Sequence, residues 1–240
     1  LGVAHAVGMA ELGHSVVGVD VDPVKIAALQ EGRAPFYEPD LDPLLRKHVD
    51  GGRLRFTTEM AEVTGADVHF VCVGTPQRRD GLAADLKYLD AAIDTLAAVL
   101  RRPGLVVGKS TVPVGTARRL ATRLAEAAPA GHGVELAWNP EFLREGHAVE
   151  DTLHPDRLVF GVHSERGERA LSDVYAPVIA EEVPVVVTDL ETAELVKVAA
   201  NAFLATKISF INEIANVCEE LGADVTEVAR GMGLDDRIGP

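Results

Sequence analysis

No apolar run in this chain approaches the ~20 residues that a membrane-spanning helix needs, and no secretory signal is visible. The cytoplasm is therefore the expected compartment, with no membrane partner. A basic surplus is also missing. Lys and Arg number 23 against 37 Asp and Glu, a formal net charge of −14, which argues against nucleic acid or an anionic surface as the main partner. An anionic substrate would need a local cluster of donors set against that field. Cysteine is scarce: Cys72 and Cys218 lie far apart, each in an apolar segment, so buried free thiols are expected. No metal site is expected. There are no internal repeats and no low-complexity linker. A starting methionine is absent, since the chain opens at Leu1-Gly2 in a helical pattern that needs a preceding strand. It closes at Ile238-Gly239-Pro240 directly after a helix. A fragment cut at both ends is expected.

What is present is enough for a real core. The 240 residues are 47% apolar and 25% charged, as in a soluble globular protein of one large or two small domains. Short β-branched runs alternate with amphipathic stretches. Strands are predicted at 15–20, 54–57, 67–74, 105–110, 134–138, 157–161 and 184–188. Helices are predicted at 3–12, 23–31, 43–49, 86–100, 116–127 and 168–179. Runs such as Val68 to Val73 are apolar on both faces, as in strands covered on both sides. The alternation predicts an α/β fold with a doubly wound, mostly parallel, Rossmann-like sheet. From Thr188 the pattern changes. Thr188-Asp189-Leu190-Glu191 reads as a capping box, and helical periodicity then continues to Leu221, with Gly222 as the stop. That length, roughly 46 Å, with an apolar first half, suits a central helix between domains or at a subunit interface. A second helix is predicted at 226–232. Residues 1–188 are read as one domain, and 189–240 as the long helix and the start of a dimerisation region.

The helix at Gly2, the strand at 15–19 and Asp20 resemble the second half of a Rossmann βαβ unit. Such a unit sets pyrophosphate at a helix N-terminus and an acidic side chain on the adenosine ribose. Asp20 disfavours a 2′-phosphate, which points to NAD rather than NADP. Lys25 can approach the ribose or remain solvated. Two further strand ends, Val73-Gly74-Thr75-Pro76 and Lys109-Ser110-Thr111-Val112-Pro113, are short and hydroxyl-bearing. Ligands of open α/β sheets bind at such ends, although both also read as ordinary proline turns. The octapeptide Asn139 to Gly146 sets Glu141 and Glu145 four residues apart behind an Asn-Pro start. With Asn139 as cap and Pro140 at the first helical position, both carboxylates would project from one side of a helical turn. Such a pair can bind hydroxyls, hold a water or remove a proton, or can be a solvated surface turn.

Asp20, Tyr37-Glu38-Pro39, Val73–Pro76, Lys109–Pro113, Asn139–Gly146, His154-Pro155-Asp156-Arg157, Lys197 with Asn201 and Asp236-Arg237-Ile238-Gly239 occur in that order. The set, spread over essentially the whole chain, resembles the UDP-glucose/GDP-mannose 6-dehydrogenase family. The resemblance implies a Rossmann domain for NAD, a long central helix carrying a homodimer contact, and a second domain for UDP. It implies oxidation of a sugar 6-hydroxyl to the carboxylate in two hydride transfers, through intermediates on a cysteine. By matching position, Lys197 and Asn201 are the catalytic lysine and its asparagine partner, and one turn of helix lets both face one substrate oxygen. An ion pair with Glu194 is the structural alternative for Lys197.

Glu141 would position or deprotonate the hydrolytic water, with Thr111 helping to orient it. Phe142, Leu143 and Arg144 would wall the sugar site, and Glu145 would lie near both substrate and cofactor. Leu1, Gly2, Asp20, Lys25, Val73, Gly74, Thr75, Ser110 and Thr111 fall to the cofactor. Arg237 would reach substrate across the dimer, or complement a helix dipole. Asn139–Gly146 followed by His154–Arg157 favours UDP-glucose over GDP-mannose or a UDP-N-acetylhexosamine. A β-hydroxyacid dehydrogenase, which shares the Lys-x-x-x-Asn pair, is the distant rival. A nucleotide-binding regulatory module is the non-enzymatic one. The family's nucleophilic cysteine belongs to a Gly-Gly-Ser-Cys segment, and the sequence contains none. The fragment alone is therefore expected to be inactive.

Overall fold

The computed structural model of the chain describes residues 1–239. In chain order its elements are α1 (Gly2–Glu11), β1 (Val16–Val19), α2 (Pro23–Gln30), α3 (Leu41–Asp50), β2 (Leu54–Thr57), β3 (Val68–Val71) and α4 (Lys87–Ala97). There follow β4 (Gly104–Gly108), α5 (Thr116–Ala127), β5 (Val134–Trp138), α6 (Ala148–Leu153), β6 (Leu158–Gly161), α7 (Glu165–Val174), α8 (Ala176–Ile179) and β7 (Val185–Thr188). The long α9 (Leu190–Leu221) and α10 (Val225–Gly233) complete the order. Each predicted strand is present; most that differ are shortened by a residue or more, and the one predicted at 105–110 begins a residue earlier and ends at Gly108. Two compact units are distinguished, one from Leu1 to Lys197 and one beginning at Val198.

In the first unit β1 and β2 pair in parallel, and β3-β4-β5-β6-β7 form a second sheet. Its pairs are parallel except β5 with β6, which meet antiparallel at the Trp138–Gly161 bridge. The side chains of β4 show why the predicted strands are apolar throughout. Val106 joins Leu136, Trp138, Leu89, Ile93, Leu120 and Leu124 in one core, under α4 and α5. Leu105 and Val107 join Ala137, Phe160, Leu171 and Val178 in another, under α7 and α8. Both faces are covered, so neither can be polar. A third core gathers Ala4, Val7, Ile26, Leu29, Leu41, Leu45 and Phe56 around α1, α2, α3 and β2. Gly108 gives β5 its closest neighbour: a Cβ there would lie 2.1 Å from Trp138 Cζ3.

Three local readings of the sequence are corrected. Thr188 closes β7, so Asp189 caps α9 instead, its Oδ1 accepting from Thr192 N–H at 2.7 Å. Next, the helix predicted at 168–179 is two helices that part at Tyr175, because Pro177 has no N–H to continue the first ladder. The third correction bears directly on function. Residues 139–146 form no helix, and the helical turn begins only at Ala148.

Candidate active site

The carboxyl ends of parallel strands collect the predicted cofactor residues. Ser110 Oγ donates to Val73 O at 2.6 Å, and Thr75 Oγ1 donates to Thr111 O at 2.7 Å, which fastens the β3 and β4 turns together. The start of α1 abuts the β3 turn, since a Cβ on Gly2 would stand 3.4 Å from Cys72 Cβ. Gly74 has nothing within 4 Å of where a Cβ would be, so its backbone is open to a ligand. After β1, Asp20 Oδ1 accepts from Asp22 N–H at 2.9 Å and Oδ2 faces Lys25 Nζ at 3.6 Å. Both side chains are well exposed, so that ion pair adds little to stability. Leu1 is exposed at the head of α1.

The loop from Asn139 to Gly146 carries the second half of the site. Asn139 is not a cap, because its side chain is buried and committed elsewhere: Oδ1 accepts from Lys109 Nζ at 2.9 Å and Nδ2 donates to Val159 O at 3.0 Å. Glu141 and Glu145 therefore do not share a helical face. Glu141 turns inward. Its Oε1 lies 3.2 Å from Lys197 Nζ and its Oε2 accepts from Leu143 N–H at 2.7 Å. The side chains of that ion pair are only 8% and 19% exposed, Lys197 first. Phe142 lies between two cations, Lys197 Nζ at 5.3 Å and the Arg157 guanidinium at 3.9 Å from its ring centroid. Arg144 is exposed and held by Asp151, and Glu145 is exposed. Gly146 turns the chain at φ +81°, and its N–H and that of Ala148 donate to Glu38 at 3.2 and 2.7 Å.

The alternative partner of Lys197 is accounted for. Glu194 is buried and takes N–H donors from Gly115 at 2.6 Å and Ala117 at 2.6 Å, at the start of α5. Burial raises its pKa against those two hydrogen bonds. Lys197 is left to Glu141. In the second unit, Asn201 lies one turn further along α9 and is exposed. Arg237 follows α10, exposed, and bonds to Asp235 through Nε at 3.0 Å.

Sequence reading named Lys109 and Arg157 within motifs but gave neither a role. Lys109 is 6% exposed, and burial pulls its pKa down to about 8, opposed by the charges of Cys72 and Glu141. Tyr175, also buried, bonds with it at 3.3 Å. The available signal was a charged residue closing an otherwise apolar strand. Cys72 is a poor nucleophile, since burial pushes its thiol up to about 11 and leaves it protonated near neutrality.

Residues 1–179 match the NAD binding domain of the UDP-glucose/GDP-mannose dehydrogenase family, and residues 191–240 match its central domain. The chain belongs to this family. A UDP-glucose 6-dehydrogenase of Rhizobium meliloti is 48% identical over 242 residues, which cover 100% of the chain and 55% of that relative. A UDP-glucose dehydrogenase structure from the hyperthermophilic archaeon Pyrobaculum islandicum superposes with TM-score 0.93 at 46% identity, covering 99% of the chain and 55% of its own. A GDP-mannose dehydrogenase from Pseudomonas aeruginosa superposes with TM-score 0.92 at 32% identity, covering 98% and 54%. The chain thus spans about half the length of the relatives it matches. The cofactor of this nucleotide-sugar dehydrogenase family domain is NAD, and the open backbone at Gly74 and the carboxylate of Asp20 suit it. Among the described residues no helix is long and apolar enough to cross a membrane, and no group of three metal-ligating side chains occurs.

Proposed function

We propose that the protein to which this chain belongs oxidises the 6-hydroxyl of UDP-glucose to the carboxylate, giving UDP-glucuronate. The observation that carries the reading is the buried contact of Lys197 with Glu141, 3.2 Å apart at the carboxyl edge of the sheet. NAD, held at the strand-end turns, would supply the hydride acceptor for both oxidations. Lys197 meets charge developing on the substrate oxygen, and Asn201 assists from the next turn of the same helix. Glu141 takes a proton from the water that releases the acid, and Thr111 orients that water. Phe142, Leu143 and Arg144 line the sugar, Glu145 stands between sugar and cofactor, and Arg237 reaches substrate from a partner subunit. Asp20 receives the ribose hydroxyls, with Lys25 beside it, while Leu1, Gly2, Val73, Gly74, Thr75 and Ser110 contact the rest of NAD.

Residues 1–188 serve as the cofactor domain and 189–240 as the start of a homodimer region. Exposed apolar side chains on α9, among them Phe203, Leu204, Ile208 and Phe210, support the latter. UDP-glucose is preferred to GDP-mannose because relatives named for UDP-glucose stand at 44–48% identity and the GDP-mannose enzyme at 32%.

The test is steady-state kinetics of the full-length protein with UDP-glucose, GDP-mannose and UDP-N-acetylhexosamines, each with NAD and NADP. Two NADH per UDP-glucose are expected, with kcat/KM at least tenfold lower for NADP and for the other sugars. Equal or better kcat/KM with GDP-mannose would overturn the substrate, and with NADP the role of Asp20.

A further inference from the structure

Two residues before Glu141 the loop starts from a side chain with no freedom left. Asn139 Oδ1 accepts from Lys109 Nζ at 2.9 Å and from Tyr175 OH at 2.7 Å, and Lys109 Nζ also donates to Tyr175 OH at 3.3 Å. The three polar groups close a triangle, and Asn139 Nδ2 adds its bond to Val159 O. All three side chains are buried. The Lys109 ammonium lies 5.9 Å from the ring centroids of both Phe70 and Tyr175. A buried polar network is stabilising only when every member is satisfied, and this one is satisfied by groups from the β4 end, the α7–α8 junction and β6. It fixes residue 139, and hence where the backbone of 140–142 begins. No part of this arrangement is needed to bind the cofactor at Asp20 or Gly74.

We propose that Lys109 is a positioning residue that acts through Asn139 and Tyr175 to hold the Glu141 carboxylate against Lys197, in the place that water attack requires. This rests on the hydrolytic role proposed for Glu141. A lysine that merely stabilised the fold would weaken every step alike; a positioning lysine weakens one.

The experiment uses the full-length protein with Lys109→Met and, should methionine prevent folding, Tyr175→Phe, which deletes a single hydroxyl. Single-turnover kinetics with UDP-glucose and NAD separate the first hydride transfer from release of the acid. The expected result is release slowed at least tenfold with a covalent acyl-enzyme visible by mass spectrometry, while the first hydride transfer and the Kd for NAD stay within twofold. Unchanged release, or equal slowing of all steps, overturns the proposal. Glu141→Gln in parallel separates the two claims. If it traps an acyl-enzyme and neither other variant does, the role of Lys109 alone fails. If Glu141→Gln traps none, the hydrolytic reading fails and takes the role of Lys109 with it.

Discussion

Lys109 and Cys72 are neighbours whose burial moves their protons in opposite directions, and this makes their contributions to stability separable. The folded lysine titrates near about 8 against an ordinary 10.5. Between those values the unfolded chain holds a proton that the folded chain has released, so stability rises with pH through that window. The thiol is pushed up to about 11 from 9.0, so the unfolded chain ionises first and stability falls as pH rises from 9 through 11. The two oppose each other in the parent, and a variant without Lys109 removes the lysine's contribution together with its pull on the thiol. Lys109→Met should lose roughly 2–3 kcal/mol relative to the parent between pH 8 and 10.5. Urea unfolding followed by the fluorescence of Trp138, the sole tryptophan of the sequence, measures it. Parallel stability curves would show that the buried lysine does not titrate as described. Neither shift was legible in the sequence, because burial of a strand-end lysine depends on which helix covers it.

At the scale of elements, Glu194 joins α9 to α5 through two short bonds to backbone N–H groups that the first turn of α5 would otherwise leave open. Glu194→Ala should raise amide exchange at Gly115 and Ala117 about 30-fold, the equivalent of roughly 2 kcal/mol for charge-assisted bonds. Exchange unchanged within threefold would mean that water replaces the carboxylate without cost. Sequence reading offered Glu194 as the structural alternative partner of Lys197, because i,i+3 spacing is all that a helix in isolation reveals. The strands Val134–Trp138 and Leu54–Thr57, in contrast, were legible to the residue, since apolar side chains recur through each although Glu135 and Arg55 interrupt them. The octapeptide misled for a physical reason. Asn-Pro is a valid helix start only while the Asn side chain is free to cap, and here Lys109, Tyr175 and Val159 claim it. The inward turn of Glu141 toward Lys197 follows from that tertiary competition and from no local pattern.

For the whole molecule, order along the chain carried more than any single motif. Asp20, the two hydroxyl-bearing strand ends and the Glu141 loop are far apart in sequence, yet each follows the carboxyl end of a strand paired in parallel, β1 in one sheet and β3, β4 and β5 in the other. The proposed function divides the buried pair there, Lys197 serving oxidation and Glu141 serving hydrolysis. The division of labour is tested most directly by Glu141→Gln in the full-length protein, mixed rapidly with UDP-glucose and NAD and analysed by quenched-flow mass spectrometry. An amide keeps much of the geometry but cannot take a proton from water. The first hydride transfer should therefore stay within a few-fold of the parent while a covalent acyl-enzyme accumulates. Absence of that species, with both hydride transfers slowed equally, would contradict the account and make Glu141 a binding residue.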